Sequence, residues 1–267
     1  MTGGAVLSVR DIELSFAGVK AIDGASFDIQ AGELFAIIGP NGAGKTSIFN
    51  VLSGVYRPQA GTVTFLGEDL LGLPPHRIAA LGMARTFQNI ELFENLTVLD
   101  NLMLGRNHHV RYGWLSALLH VGRARSEELE HRAAVEEIID FLEIEAYRYH
   151  PVGLLPYGLQ KRVELGRALA MEPRLLLLDE PVAGMNLEET EDMARFLLDI
   201  REDLGLPMIL VEHDMGLVMD LADRVMVLDF GVPLMTGAPA EVQNDPRVLR
   251  AYLGAADEAV VDERASR

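Results

Sequence analysis

Hydrophobic residues alternate with polar ones in the first part of the chain, from Leu7 to Phe16 and again over residues 25–29. Alternation with a period of two is typical of strands that bury one face, and such strands usually pair in antiparallel sheets. A shorter stretch of the same kind covers residues 62–66. Together these segments predict an antiparallel β lobe.

Three other segments, which contain Ile37, Leu176 and Ile209, are apolar at every position. A strand without a polar face must be buried on both sides, as it is in a parallel sheet covered by helices. The predicted fold class is therefore α/β, with a mostly parallel sheet that has these three residues in its central strands.

Helical spacing predicts most of the remaining elements. A helix follows the first apolar strand from residue 45 onwards, and a helical lobe covers about residues 89–165. Within this lobe Thr97 has the sequence context of a helix N-cap. Ser126 is expected to start another helix, with Leu129 on its buried face.

A glycine-rich segment joins the first apolar strand to the helix after it. From Gly39 to Thr46 it reads GPNGAGKT, which fits the phosphate-binding pattern G-x-x-x-x-G-K-[ST]. Glycine lets the backbone point its N–H groups at one anion, and the following helix adds its positive end. Lys45 would reach the β- and γ-phosphates of a nucleotide, and Thr46 would place its hydroxyl on Mg²⁺. The candidate nucleotide-binding residues of this loop are Gly39, Asn41, Gly42, Gly44, Lys45, Thr46 and Ser47.

Acidic residues follow two of the apolar strands. The four-leucine run 175–178 ends in Asp179 and Glu180, and the strand around Ile209 is followed by Glu212-His213-Asp214. The carboxyl ends of parallel strands are where open α/β sheets bind ligands. We expect Asp179 to hold Mg²⁺ through water and Glu180 to polarise the water that attacks a phosphate. His213 would donate to the γ-phosphate.

Phe16 ends the first strand a short distance upstream of the phosphate loop. An aromatic ring at this place is suited to stacking on adenine, and the alternative is that Phe16 is an ordinary core residue.

The order and spacing of these motifs resemble the ATP-binding subunit of ABC transporters, from about Leu7 to Leu253. Residues 39–46 are similar to Walker A and residues 175–180 to Walker B with its catalytic glutamate. Gln88 matches the Q-loop glutamine and His213 the switch histidine. The resemblance implies a P-loop NTPase core that binds ATP and Mg²⁺, with Thr46, Gln88 and Asp179 at the metal and with Glu180, His213 and Gln88 in hydrolysis.

The segment 155–160 occupies the place of the family signature, usually Leu-Ser-Gly-Gly-Gln, and a helix from about 161 to 171 is expected after it. Pro156 replaces the serine and Leu159 the glutamine. The resemblance implies a head-to-tail dimer in which the signature of one subunit closes on the ATP of the other. The candidate residues of this second contact are Tyr157, Gly158 and Gln160.

Four segments are more specifically similar to the branched-chain amino acid importer ATPases: residues 84–89, the Arg- and His-bearing insertion 106–125, residues 181–186 and the ending 237–254. This resemblance implies membrane permease subunits, a second ATPase subunit as homo- or heterodimer, and indirectly a solute-binding protein. Importers of urea or other small amides and a lipopolysaccharide-export ATPase are alternatives. The solvated-loop interpretation of the insertion also stays open.

Residues 88–96 are the predicted docking surface for a cytoplasmic helix of the permease. Leu92 and Phe93 are large apolar side chains beside the ATP-sensing Gln88. Exposed apolar groups next to a nucleotide sensor are suited to couple docking to nucleotide state. The alternative is that Phe93 packs within this chain.

Length and composition limit the other possibilities. At 267 residues we expect one ATPase domain, 1–254, with the helical lobe inserted, followed by a disordered acidic tail, 255–267. A net charge of −17 argues against a nucleic-acid partner, including a DNA-maintenance ATPase of the same superfamily. The chain has no cysteine, no long apolar run and no signal-peptide pattern, which favours a soluble cytoplasmic protein. The resemblance to ABC transporters implies that it is peripheral on the inner face of the cell membrane. A lone P-loop kinase or GTPase is the remaining alternative.

Overall fold

The computed structural model describes residues 4–109 and 123–252. Its larger sheet has six strands in the order β10-β9-β3-β8-β7-β6. Strands β3 and β6 to β9 run parallel, and β10 is antiparallel to β9. The strands are β3 (Leu34–Ile38), β6 (Met83–Arg85), β7 (Leu175–Asp179), β8 (Met208–Val211), β9 (Arg224–Asp229) and β10 (Val232–Gly237). The prediction of Ile37, Leu176 and Ile209 in central parallel strands is confirmed.

The smaller sheet is antiparallel and has the order β2-β1-β4-β5. Its strands are β1 (Leu7–Phe16), β2 (Val19–Ile29), β4 (Ala60–Phe65) and β5 (Glu68–Asp69). The antiparallel lobe predicted from alternating hydrophobicity is therefore confirmed.

Helices surround the larger sheet and form the lobe after β6. They are α1 (Lys45–Leu52), α2 (Pro75–Ala80), α3 (Val98–Gly105), α4 (Arg123–Phe141), α5 (Tyr157–Leu169), α6 (Leu187–Leu204), α7 (Met215–Leu221) and α8 (Pro239–Gln243), and residues 246–252 are also helical. Short 3-10 turns cover Arg106–His109, Glu145–Tyr147 and Val152–Leu154. Among the residues that the structure describes, no helix is both long and apolar enough to cross a membrane.

Strand β3 contributes to two separate hydrophobic cores. Leu34, Ala36 and Ile38 pack into the core shared with α3 to α8, whereas Phe35 and Ile37 pack into the core between the two sheets. All five are completely buried, and burial of one large aliphatic or aromatic side chain contributes about 1.5–3 kcal/mol. The strand that leads into the phosphate loop is thus held from both sides.

The start of α3 is set by polar side chains. Thr97 is the N-cap, and its hydroxyl accepts from Asp100 N at 3.1 Å. The fully buried Asn101 accepts from Phe93 N at 3.0 Å and donates to Phe93 O at 3.1 Å. Asn101 therefore fixes the loop that joins β6 to the helical lobe.

Two helix starts differ from the predictions. Helix α4 begins at Arg123 rather than at Ser126, and Leu129 is 61% exposed instead of buried. Helix α5 begins at Tyr157, about four residues earlier than expected, because Pro156 adopts an extended conformation that leads directly into the helix. Within the insertion, residues 110–122 lie outside the described residues, as does the predicted tail.

Candidate nucleotide-binding and hydrolysis site

The phosphate loop turns sharply between β3 and α1. Gly39, Gly42 and Gly44 have φ values of 153°, 80° and 102°. A Cβ on Gly39 would lie 2.1 Å from Leu228 O, and one on Gly44 would lie 2.3 Å from Ala21 O. The first and last of these glycines are therefore required both by conformation and by space. The N-terminus of α1 opens directly onto the loop, as an anion site needs.

Lys45 folds back over this loop. Its Nζ donates to Gly39 O at 2.7 Å and to Pro40 O at 3.1 Å. Burial lowers the pKa of Lys45, and the nearby carboxylates of Glu180, Asp179 and Glu212 oppose that shift. A buried cation with a helix N-terminus beside it fits a phosphate group.

The other predicted residues of the loop differ in exposure. Asn41, Gly42 and Thr46 are exposed, and Ser47 is half-buried on α1. Their accessible polar groups line the open side of the loop, where a nucleotide can enter.

Asp179 ends β7 and is bonded to a residue that the sequence did not single out. Arg85 Nη2 lies 2.7 Å from Asp179 Oδ2, and Arg85 Nη1 donates to Asn50 Oδ1 on α1 at 2.7 Å. The guanidinium also lies near the rings of Phe49 and Phe87, at 5.4 and 5.2 Å from their centroids. Arg85 thus joins the Walker B carboxylate to α1. The one sequence signal was a cation at the end of a buried strand, three residues before Gln88.

Two predicted catalytic residues, Gln88 and His213, approach the same carboxylate oxygen of a third, Glu180. Gln88 Nε2 donates to Glu180 Oε2 at 2.8 Å, and His213 Nδ1 lies 3.9 Å from the same atom. Glu180 has a φ of 48°, in the left-handed region, while its N–H donates to Val211 O at 2.9 Å. This conformation is uncommon for a non-glycine residue, and the backbone bond to β8 holds Glu180 in it.

Glu212 is a second residue that sequence reasoning missed. It is fully buried, accepts from Val182 N at 3.2 Å through Oε1 and accepts from His213 N at 3.1 Å through Oε2. Burial raises the pKa of this carboxyl. Glu212 therefore connects the turn that follows Glu180 to the backbone of His213.

Phe16 lies at the end of β1 with 45% of its surface exposed. Its ring meets Tyr56 edge-on, with 5.0 Å between centroids. The alternative that Phe16 is an ordinary core residue is therefore wrong. Tyr56, which follows α1, was not predicted to share this surface.

The signature segment packs against the start of α6 and the turn before it. A Cβ on Gly158 would lie 2.4 Å from Glu189 Oε1, and a Cβ on Gly184 would lie 3.2 Å from the Tyr157 ring. Gln160 Nε2 donates to Leu155 O at 2.8 Å, so the amide stabilises its own segment. Across the described ranges, no hydrogen bond joins residues 155–160 to residues 39–47. The structure therefore brings together the Walker, Q-loop and switch residues but places Tyr157, Gly158 and Gln160 elsewhere.

The predicted magnesium ligands Thr46, Gln88 and Asp179 provide one hydroxyl, one amide and one carboxylate. Within the described part of the chain there is no group of three His, Cys, Asp or Glu residues that suits a metal ion. Mg²⁺ usually keeps several waters and binds through one or two carboxylates together with substrate phosphates. These three side-chain donors therefore fit a Mg²⁺ ion that binds together with a nucleotide and is also coordinated by its phosphates.

Comparison with known protein families agrees with this geometry. Residues 22–183 match the model of a family described as ABC transporter, which is more than half of the chain. This chain belongs to the ABC transporter family. Residues 233–258 match a second model, described as branched-chain amino acid ATP-binding cassette transporter. The family resemblance and the fold class predicted from the sequence are both confirmed.

Two curated relatives of this ABC transporter chain, LivG and BraF, are matched over nearly their whole lengths. The high-affinity branched-chain amino acid transport ATP-binding protein LivG of Salmonella typhimurium is 40% identical, over 94% of this chain and 98% of LivG. The corresponding BraF of Pseudomonas aeruginosa is 36% identical, over 94% of this chain and 98% of BraF. A sulfate/thiosulfate import ATP-binding protein of Pseudomonas aeruginosa is 32% identical, over 90% of this chain and 69% of that protein.

Solved structures confirm the fold. The ADP conformation of an ATP-binding cassette of an ABC transporter superposes with a TM-score of 0.82 at 29% identity and covers 94% of this chain and all of that one. A nucleotide-free cassette gives a TM-score of 0.81 at 29% identity, over 93% of this chain and 99% of that one.

Proposed function

We propose that this protein is the ATP-binding and ATP-hydrolysing subunit of an importer for branched-chain amino acids. The observation that carries the proposal is the meeting of Gln88, Glu180 and His213 beside the Lys45 loop. The likeness to LivG and BraF, together with the branched-chain amino acid model over residues 233–258, supports the solute class.

The residues of the site have separable roles in hydrolysis. Lys45 and the loop N–H groups would bind the β- and γ-phosphates, and Thr46, Gln88 and Asp179 would hold Mg²⁺, which would neutralise charge that develops on the phosphates. Glu180 accepts a proton from water while the water oxygen bonds to the γ-phosphorus and the bond to the ADP oxygen breaks. His213 donates a hydrogen bond to the γ-phosphate. A general base of this kind contributes about 10²–10⁴ in rate.

A second subunit completes the site in this proposal. Among the described residues, Tyr157, Gly158 and Gln160 make no hydrogen bond to the phosphate loop of their own chain, and they belong to the first turns of the 13-residue helix α5. A helix N-terminus attracts an anion, so this end is suited to the γ-phosphate held by another copy or by a related ATPase.

The permease is proposed to dock beside the Q-loop. An apolar cavity of about 240 Å³ lies beside Phe87 and Met171, and a second cavity of about 360 Å³ shares both residues but is also lined by charged side chains. Phe93 is 58% exposed, whereas Leu92 is partly buried against the core. A cytoplasmic helix of the permease fits such a groove, and Gln88 would transmit its position to Glu180. The ATPase would then lie on the inner face of the membrane, with a solute-binding protein acting through the permease.

Reconstitution tests this function. The chain would be purified with the permeases and solute-binding protein encoded beside it and placed in vesicles that contain ATP. We expect ATP-dependent uptake of radiolabelled leucine or isoleucine, no uptake with Lys45→Ala, and no competition by urea. ATP hydrolysis accompanied by urea uptake and no amino acid uptake would overturn the assigned solute class.

A further inference from the structure

One face of helix α5 binds the main chain of the Q-loop, defined here as residues 86–91. Lys161 Nζ donates to Phe87 O at 3.2 Å and to Gln88 O at 2.9 Å. Glu164 Oε1 accepts from Phe87 N at 3.1 Å, and Arg167 donates to Glu91 O. The three side chains follow one another at intervals of three residues, so they lie along one helix face.

Lys161 and Glu164 form a buried ion pair. Their side chains are 1% and 2% exposed, and Lys161 Nζ lies 3.4 Å from Glu164 Oε2. An ammonium group has three donors, and here they meet two Q-loop carbonyls and one carboxylate. Separation of α5 from the Q-loop would keep the pair itself but would break two hydrogen bonds of the ammonium and one of the carboxylate, which disfavours it.

The contacts fix the position of the Q-loop backbone rather than its side chains. The side chain of Gln88 therefore stays available to Glu180, and its Nε2 donates to Glu180 Oε2 at 2.8 Å. At its other end α5 starts at Tyr157, in the signature segment. A single rigid helix thus connects the residue beside the catalytic carboxylate to the segment assigned to the second nucleotide.

We infer that Lys161 and Glu164, supported by Arg167, are positioning residues that couple the Q-loop of one subunit to its own signature helix. When a γ-phosphate displaces Gln88, the buried pair carries the displacement to residues 155–160 and so to the ATP of the other subunit. This inference rests on the proposed function, because it assumes that the signature segment serves a second nucleotide. A pair with a purely structural role would affect stability but not the response to the γ-phosphate.

The experiment compares backbone amide hydrogen exchange in the full-length protein with Mg²⁺-ADP and with the Mg²⁺ complex of a non-hydrolysable ATP analogue. Protein is kept dilute so that subunits remain monomeric. In the double variant Lys161→Met/Glu164→Leu the ion pair is replaced as a unit, because removal of one partner would leave a buried charge. Arg195→Met is the matched control, since Arg195 pairs with Glu143 at the surface, where both are exposed.

In the wild type and in Arg195→Met we expect exchange at both the Q-loop and residues 157–163 to differ between the two nucleotides. In the double variant we expect the Q-loop difference to persist and the difference at 157–163 to be lost. The inference is overturned if the exchange of residues 157–163 in the double variant still differs between the two nucleotides as it does in the wild type. It is also overturned if the wild type itself shows no such difference at these residues. If the double variant fails to fold, Arg167→Met is measured in the same way; it removes the bond to Glu91 O and one cation near Glu164 but leaves the Lys161–Glu164 pair in place. Failure of either nucleotide to bind, seen by titration, would instead contradict the proposed function.

Discussion

Gln88 Nε2 and Glu180 Oε2 are joined by a hydrogen bond of 2.8 Å, so the Q-loop amide contacts the oxygen assigned to water activation. His213 approaches the same oxygen to within 3.9 Å from another strand. Because each group comes from a different loop, movement of any of these loops changes the surroundings of the catalytic carboxylate.

Glu180→Gln should keep ATP binding and slow hydrolysis by about 10²–10⁴, since an amide cannot accept the proton. The variant should also accumulate as an ATP-bound dimer. Steady-state phosphate release and sedimentation measure the two effects, with Glu188→Gln, an exposed residue in the first turn of α6, as control. Normal turnover in Glu180→Gln would assign the base to another residue.

Lys45→Met should abolish ATP binding and should also change how stability depends on pH. Burial lowers the pKa of Lys45 in the folded state below its usual 10.5, so the unfolded chain binds more protons at this site between the folded value and 10.5. The contribution of Lys45 to stability therefore rises with pH across that window and is lost as pH falls through it. Denaturant unfolding of both proteins without nucleotide checks the sign, because the wild type should gain stability relative to the variant as pH approaches 10.5. A falling difference would contradict the burial of this charge.

Arg85→Met should lower the free energy of unfolding by about 3–5 kcal/mol, the usual result when one partner of a buried ion pair is removed. Arg85 and Asp179 are only 10% and 5% exposed at their side chains. The free energy of unfolding of Arg85→Lys should lie between those of the wild type and Arg85→Met. A lysine ammonium keeps the charge but cannot bond to both Asn50 and Asp179 with the planar geometry of a guanidinium. Arg10→Met, at an exposed pair, should change stability by less than about 1 kcal/mol. Equal decreases in the free energy of unfolding in all three variants would show that the buried Arg85–Asp179 pair stabilises the protein no more than an exposed pair does.

Pro156→Ser should tighten ATP-dependent dimerisation in a Glu180→Gln background. The α5 N-cap has no side-chain hydrogen bond, so a hydroxyl would add a donor at the helix end assigned to the second ATP. A hydrogen bond to a charged group contributes about 1.5–3 kcal/mol, equivalent to roughly ten- to hundredfold in the dimer constant. Pro156→Ala, which removes proline without a hydroxyl, is the control. Equal dimer fractions for both variants by analytical ultracentrifugation would mean that Gly158 and the helix end already suffice.

Phe93→Asp should uncouple transport from hydrolysis while ATP binding by the isolated subunit stays intact. The side chain is 58% exposed, so a charge there disturbs docking rather than the core. Leu249→Asp is a matched control, since Leu249 is 50% exposed on the C-terminal helical segment. Loss of folding in Phe93→Asp, measured by circular dichroism, would favour the alternative that Phe93 packs within the chain.

Linear patterns identified the parts of the site that are continuous in sequence. The phosphate loop and the acids after β7 could be read directly, because a few neighbouring residues determine their local geometry. Arg85 and Asp179 are separated by 94 positions, and Phe87 and Glu164 by 77, so their pairing depends on the folded topology. Neither hydrophobic periodicity nor motif spacing predicts a contact between residues so far apart in the sequence.

The start of a helix and its buried face were also harder to predict from the sequence. The fixed φ of Pro156 suits the position before a helix, yet the sequence predicts that helix only from about residue 161, whereas α5 begins at Tyr157. Leu129 fitted the apolar face of α4 by spacing, but it is exposed, since spacing alone cannot reveal where neighbouring elements end.

The division of β3 between two cores has a consequence for how this protein moves. Alternate side chains of the strand are buried on opposite sides, so β3 loses its contacts only when both cores open. Gly39 follows this strand directly, whereas the Q-loop and the signature helix belong to the helical lobe side. If only one of the two cores opens, the other still holds β3, so the phosphate loop keeps its attachment to the larger sheet during such a local opening.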